Sequence, residues 1–348
     1  MLTALIMAGG KGTRFWPMST EEKPKQFLNL IDELTMIQST VKRLKKLINI
    51  DHIFVCTTEK YKDLLLEQLP DLPQKNIIIE PIGRNTAPCI LLSTIYIKQL
   101  YSDANIIVLP SDHKINDEDE FIDVLKAGNS FISKNRDSIV TIGIVPNRPE
   151  TGYGYINFGD NVDGFGNHLV KKVNKFVEKP NLKKAKQYVA DGKYLWNAGM
   201  FAFNSNFMLE QFQKYFDYSY NLLASLPAIE DENYMSELYK KYQQCDAISV
   251  DYAIMEKSDC IYVIPSDFGW DDIGSWNALE RYIDKDGNNN IVKGNVKILD
   301  SQNNVVYGTD KEILLVDVDD LYVIETDERI VIGKKDNLES VHELRGKY

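Results

Sequence analysis

The densest chemistry lies near the start of the chain, in Leu5-Ile6-Met7-Ala8-Gly9-Gly10-Lys11-Gly12-Thr13-Arg14-Phe15-Trp16-Pro17-Met18-Ser19, closed by Lys23-Pro24-Lys25-Gln26-Phe27. The unbroken apolar run from Ala4 to Ala8 predicts a buried strand. Gly9, Gly10 and Gly12 then follow within four residues, and glycine lets a backbone approach a ligand without a Cβ in the way. Successive N–H groups in such a loop make a donor surface suited to phosphate, and Lys11, Arg14 and Lys25 add positive charge. The stretch reads as a polyphosphate site, with an ordinary glycine-rich turn as the plain alternative. It is neither a Walker loop, which needs Ser/Thr after its Lys, nor a dinucleotide fingerprint, since Phe15 stands where the third glycine belongs.

Further candidates are spread along the chain. Glu80-Pro81-Ile82-Gly83-Arg84-Asn85-Thr86-Ala87-Pro88 falls between a strand end and a helix start. A carboxylate there could accept from both N1–H and the N2 amino group of guanine, whereas adenine presents a lone pair at N1. Glu80 is thus a candidate base reader, with Asn85 and Thr86 as further polar contacts; either of these could equally be a helix cap. Asp112, in Leu109-Pro110-Ser111-Asp112-His113, follows an apolar strand, where an acid is well placed to hold magnesium; a turn or cap aspartate is the alternative, and His113 reads as structural. Gly269-Trp270-Asp271-Asp272-Ile273-Gly274-Ser275-Trp276 offers a second carboxylate, one of its two aspartates being a fair helix cap. Between these lie Pro149-Glu150-Thr151-Gly152-Tyr153-Gly154-Tyr155, Phe176-Val177-Glu178-Lys179-Pro180 and Trp196-Asn197-Ala198-Gly199. Glu178 could accept from sugar hydroxyls, Lys179 could meet a sugar phosphate, and Asn197 could both donate and accept. A surface ion pair is the bland reading of Glu178 and Lys179. The apolar residues of Val250-Asp251-Tyr252-Ala253-Ile254-Met255-Glu256 read as core, and no chemistry is assigned there.

Elements that could position these groups alternate along the chain. Helical spacing predicts helices over residues 35–48, 61–69, 88–100 and 121–132, with strands at 53–56, 77–79, 106–109 and 139–145. Continuous apolar strands alternating with helices predict an α/β fold: a Rossmann-like, mostly parallel sheet covered on both faces. Ligands bind beyond the carboxyl ends of such strands, where these motifs fall. After the turn-rich Gly287-Asn288-Asn289-Asn290, short β-like runs predict a small β appendage. The expected division is residues 1–285 and 286–348.

The run GGKGTRFWPMS followed by KPKQF resembles the signature of the sugar-phosphate nucleotidyltransferases, and within them that of the mannose-1-phosphate guanylyltransferases. The likeness extends over essentially the whole chain. It implies transfer of a guanylyl group from GTP to α-D-mannose 1-phosphate, giving GDP-mannose and diphosphate. It further implies that Arg14 and the loop of Gly9, Gly10, Lys11, Gly12 and Thr13 hold the β- and γ-phosphates, and that Lys25 faces the α-phosphate. Glu80, Asn85 and Thr86 would form the guanine segment. Gly154, Glu178, Lys179 and Asn197 would contact the sugar phosphate, and Asp112 with Asp272, favoured over Asp271 by the motif's register, would hold Mg²⁺. A left-handed β-helix-like tail is implied as well, without a clear hexapeptide repeat in this sequence. Many bacterial relatives carry an added sugar-isomerase domain, for which this chain is too short. Another sugar 1-phosphate such as a manno-heptose, another nucleotide, or a catalytically silent GDP-mannose-binding relative are the competing expectations.

The totals agree. The chain has 348 residues and a net charge of −11, which argues against a general nucleic-acid surface. Cys56, Cys89, Cys245 and Cys260 are far apart, suggesting a reducing compartment. No signal peptide and no membrane-spanning apolar run are visible. A cytoplasmic homodimer is the expectation.

Overall fold

The computed structural model describes residues 1–344. Strand β1 (Leu2–Met7) leads through the glycine loop to α1 (Met36–Leu44), followed by β2 (Ile53–Thr58), α2 (Lys62–Gln68), β3 (Ile77–Glu80), α3 (Thr86–Leu100) and β4 (Asn105–Pro110). Next come the two-residue strand β5 (Lys114–Ile115), α4 (Glu118–Lys134), β6 (Ile139–Ile144) and a long hairpin, β7 (Tyr155–Phe165) with β8 (His168–Val177). Then α5 (Leu182–Asp191), β9 (Tyr194–Asn204), α6 (Ser205–Tyr215), α7 (Asp217–Ala224), α8 (Tyr234–Tyr242), a π-helical turn (Asp251–Met255), β10 (Ile261–Ser266), β11 (Trp270–Asp271) and α9 (Trp276–Leu279) complete the α/β part.

Nine strands form one sheet in the order β3-β2-β1-β4-β9-β6-β10-β8-β7. The half from β3 to β4 is wholly parallel, as its apolar strands require for burial on both faces. β9 enters antiparallel between β4 and β6, and a bulge lies opposite Thr141 and Gly143 of β6. Helix limits shift from the sequence expectation by local bonding. α1 loosens after Leu44, whose carbonyl accepts from both Leu47 and Ile48. α4 starts earlier because the Asp117 side chain accepts from the Glu120 N–H, with three acids in the first turn.

The chain groups into two compact units: Met1–Gly9 with Thr40–Asp271, and Gly10–Ser39 with Asp272–Tyr348. The first is built on the sheet, where Leu5, Phe54, Val108 and Phe203 pack in one core with Ile90 and Leu91 of α3 and Phe212 of α6. The second joins the loop after β1 to the C-terminal strands β12 (Ile291–Lys293), β13 (Val296–Leu299), β14 (Val305–Tyr307), β15 (Ile313–Val316), β16 (Leu321–Glu325) and β17 (Ile330–Lys334). There β12, β14 and β16 stack in parallel, as do β13 and β15, while β17 closes antiparallel on β16. Buried Asn290 and Asn304 link successive coils: Asn290 Oδ1 accepts from the Asn304 N–H at 2.9 Å, and Asn304 Oδ1 from the Leu321 N–H at 2.9 Å. Phe15, Trp16, Leu28 and Leu30 share a core with Trp276, Tyr307, Tyr322 and Leu338.

Candidate active site

In the second unit the glycine loop is tied shut by its own closing segment. Gly12 sits at φ 47°, its carbonyl accepts from the Lys25 N–H at 3.2 Å, and a Cβ there would lie 2.6 Å from that nitrogen. Only glycine fits both the angle and the approach. Gln26 Nε2 donates to the Gly10 carbonyl at 2.9 Å. Lys25 is buried, its ammonium donating to the Asp272 carbonyl. The Arg14 guanidinium and the Asp272 carboxylate both reach Gly274, where a Cβ would meet them at 3.3 and 3.0 Å. The fold thus brings Arg14, Lys25 and Asp272 together around a narrow, glycine-lined backbone. Thr13 begins a short 3-10 turn in the same loop, and Lys11 is exposed, 3.7 Å from Glu21.

In the first unit, Gly9 lies directly against Glu80: a Cβ would fall 1.9 Å from Glu80 Oε1. Glu80 is buried, and Tyr242 donates its hydroxyl to Oε2 at 2.8 Å. Burial pushes this carboxyl up to about 7, against the pull of the Tyr242 hydrogen bond. Asn85, at φ 68°, caps α3 by accepting from the Thr86 N–H at 2.8 Å. Thr86 Oγ1 accepts from the Val250 N–H at 2.8 Å, tying the start of α3 to the π-turn.

Asp112 lies two residues past the end of β4 and is half-buried. Its neighbour His113 meets Trp270, whose Nε1 donates to His113 Nδ1 at 3.0 Å. Asp271 is buried in the β11–β5 pair, opposite Lys114, whereas Asp272 opens the second unit's C-terminal stretch.

The sugar-side candidates do converge within the first unit. A Cβ on Gly154 would stand 2.6 Å from Glu178 Oε2, and the Asn197 N–H donates to the Gly154 carbonyl at 2.8 Å. The Lys179 ammonium, on a residue with φ 43°, pairs with the Glu178 carboxylate. Asn197 makes bonds of its own within the fold. Its Oδ1 accepts from the Gly199 N–H at 3.1 Å and from Thr141 Oγ1 at 3.4 Å, and its Nδ2 donates to Asp251 Oδ1 at 2.8 Å. The Thr141 hydroxyl has one hydrogen and lies closer to the Met200 carbonyl, at 3.2 Å, so the Gly199 N–H is what fixes the direction of the amide. Asp251 and Tyr242 are the residues that sequence reasoning passed over. Asp251 sits in an apolar run that reads as core and Tyr242 at the end of a polar helix, and nothing local signals the side chain across the fold that each meets.

A mostly parallel sheet whose first strand runs into a glycine loop is the frame of a nucleotide-binding α/β protein. The chain belongs to the nucleotidyl transferase family, whose model matches residues 3–289, and residues 293–347 match the MannoseP isomerase/GMP-like beta-helix domain. It is a nucleotidyltransferase of nucleotide-sugar biosynthesis, with a C-terminal β-helix-like domain. It is 38% identical to a mannose-1-phosphate guanylyltransferase of Escherichia coli K12 over 99% of this chain and 72% of that one. A namesake from Salmonella montevideo is 37% identical, over 99% and 73% respectively. Among solved structures, a Thermus thermophilus protein described as a mannose-1-phosphate geranyltransferase superposes with a TM-score of 0.83 at 31% identity, covering 99% of this chain and 98% of that one.

Proposed function

We propose that this chain makes GDP-mannose and diphosphate from GTP and α-D-mannose 1-phosphate, the sugar phosphate attacking the α-phosphorus of GTP in line. The observation that carries this is the gathering of Arg14, Lys25 and Asp272 around the glycine loop, in a chain alike over nearly its whole length to guanylyltransferases. A phosphate monoester is largely dianionic at pH 7, its second pKa being about 6, so no general base is needed. Alignment and charge neutralisation remain for the protein to supply. In this reading Arg14 and the amides of residues 9–13 grip the β- and γ-phosphates, and Lys25 faces the α-phosphate. Glu80 reads the guanine edge beside Asn85 and Thr86, while Gly154, Glu178, Lys179 and Asn197 take the sugar phosphate.

Asp112 and Asp272 are the proposed Mg²⁺ ligands. Half-buried carboxylates are the hard oxygen donors that Mg²⁺ takes in ones and twos beside phosphate. When bound, the ion would neutralise charge on the phosphates. Residues 1–285 carry the transferase chemistry in this reading, and 286–348 the β part.

A cytoplasmic homodimer completes the proposal. Four free thiols fit a reducing compartment, and exposed Leu299, Leu314 and Val316 offer an apolar strip for a second copy. No helix among the described residues is long and apolar enough to cross a membrane.

The deciding experiment is a panel of nucleoside triphosphates against sugar 1-phosphates, with and without Mg²⁺, read by diphosphate release. GTP with mannose 1-phosphate should lead and should need the metal. A lead for dTTP with glucose 1-phosphate would overturn the substrate assignment.

A further inference from the structure

The π-helical turn Asp251–Met255 buries Ala253, Ile254 and Met255 in the core of the first unit, yet its first residue turns a carboxylate toward the sugar-side group. π-turns are rare and concentrate at functional positions. Asp251 Oδ1 accepts from Asn197 Nδ2 at 2.8 Å. The other end of that amide is fixed by the Gly199 N–H, a donor that demands an oxygen. These two contacts leave the Asn197 amide one orientation, with a single Nδ2 hydrogen without an acceptor among the described residues.

Glu178 is the other carboxylate near Asp251, and Lys179 is the cation that faces it. Burial, reinforced by Glu178, raises the Asp251 carboxyl to about 6, while the Asn197 hydrogen bond and Lys179 favour its charge. A half-hidden acid beside a second acid is costly to maintain. For fold stability alone, an apolar residue in that turn would serve better.

We propose that Asp251 is a positioning residue for the sugar-phosphate ligand: it locks the Asn197 amide so that the remaining Nδ2 hydrogen is presented, beside the Glu178 carboxylate, to a hydroxyl of the sugar. The pair then reads a hydroxylated ring by one fixed donor and one acceptor. Asp251 acts through Asn197 and does not itself touch the ligand. This deepens the proposed function and rests on it.

The test is steady-state kinetics on the full chain, varying GTP and mannose 1-phosphate separately. Losing a hydrogen bond at a buried group costs roughly tenfold or more in binding, so Asp251→Ala should raise KM for the sugar phosphate by roughly that factor, with KM for GTP within about twofold of wild type. Asp251→Asn keeps an acceptor for Asn197 Nδ2 and should stay within roughly threefold on both. The double variant D251A/N197A should match N197A, because the two act as a unit. The inference is overturned if D251A leaves the sugar-phosphate KM unchanged, if both KM values rise together, or if the double variant's losses multiply. D251N as impaired as D251A would mean that the carboxylate touches the ligand directly, which also overturns it. Should D251A give no cooperative melt, N197A and N197A/D251N carry the test: both must show the same selective rise, and an unchanged KM in N197A sinks the idea. If the wild-type chain turns over a different substrate pair, the substrate assignment alone has failed, and the same comparison is made with the sugar phosphate that is used.

Discussion

Charge held in place before any ligand arrives is the theme at the scale of single residues. Lys25 is buried with its ammonium on the Asp272 carbonyl, and Arg14 lies near the Asp272 carboxylate. Removing one preorganised charge stabiliser typically costs about 100-fold or more in turnover. Arg14→Ala and Lys25→Ala should each show such a loss in diphosphate release, with a wild-type circular dichroism spectrum; near-normal turnover would contradict the assignment. Glu80 supplies a prediction of opposite character. Its folded carboxyl titrates near 7 rather than 4.5 because it is buried. Its stabilising effect is therefore complete below about pH 4.5, where both states are protonated, and is lost as pH rises toward 7. The linkage amounts to about 3 kcal/mol as an upper figure. Glu80→Gln keeps an acceptor for Tyr242 and drops the charge. It should melt higher than wild type at pH 8 and show no such gain at pH 4.5, while discriminating GTP from ATP less well. An equal shift at both pH values would refute the burial argument.

Among elements, the join between α3 and the π-turn shows what local spelling can and cannot convey. The alternation of strands and helices was legible because continuous apolar runs and helical spacing report burial directly. A cap at Asn85 or Thr86 was legible as an alternative, since the residue types and the helix start are adjacent; the structure makes it Asn85. That Thr86 receives the Val250 N–H was not, because the partner lies 164 residues on and the sequence carries no sign of the pairing. For the same reason the sequence carries no sign of what holds the Asn197 amide: the bulge in β9 that brings the Gly199 N–H to its oxygen is a matter of strand register. Thr86→Val would leave the Val250 N–H without its acceptor and should destabilise the chain by about 1–3 kcal/mol. Thermal or urea melting checks this, and an unchanged midpoint would show that the tie contributes nothing.

Taken whole, the molecule concentrates a few cations in one loop against a net charge of −11. That local basic cluster was the clearest signal in the sequence. The grouping of this loop with residues from Asp272 onward was hidden, because Phe15 and Trp16 share their core with side chains about 260 to 320 positions further along. Tyr307 lies in that core, its ring 5.3 Å from Trp276. Truncating a buried aromatic costs roughly 3–5 kcal/mol. Tyr307→Ala should therefore lower the melting point and weaken GTP binding by calorimetry, although it is nowhere near the loop in sequence. Full GTP affinity in a destabilised Tyr307→Ala would break the link between that core and the loop.

That shared core sets an order of events during translation. A ribosome delivers Phe15 and Trp16 about 300 residues before Tyr322 and Leu338. At roughly 5–20 residues per second, the anchors of the glycine loop wait on the order of tens of seconds for the side chains that cover them. Nascent chains stalled before Tyr307 should accordingly fail to retain a GTP analogue, and retention by such chains would show that the loop matures without its distant cover.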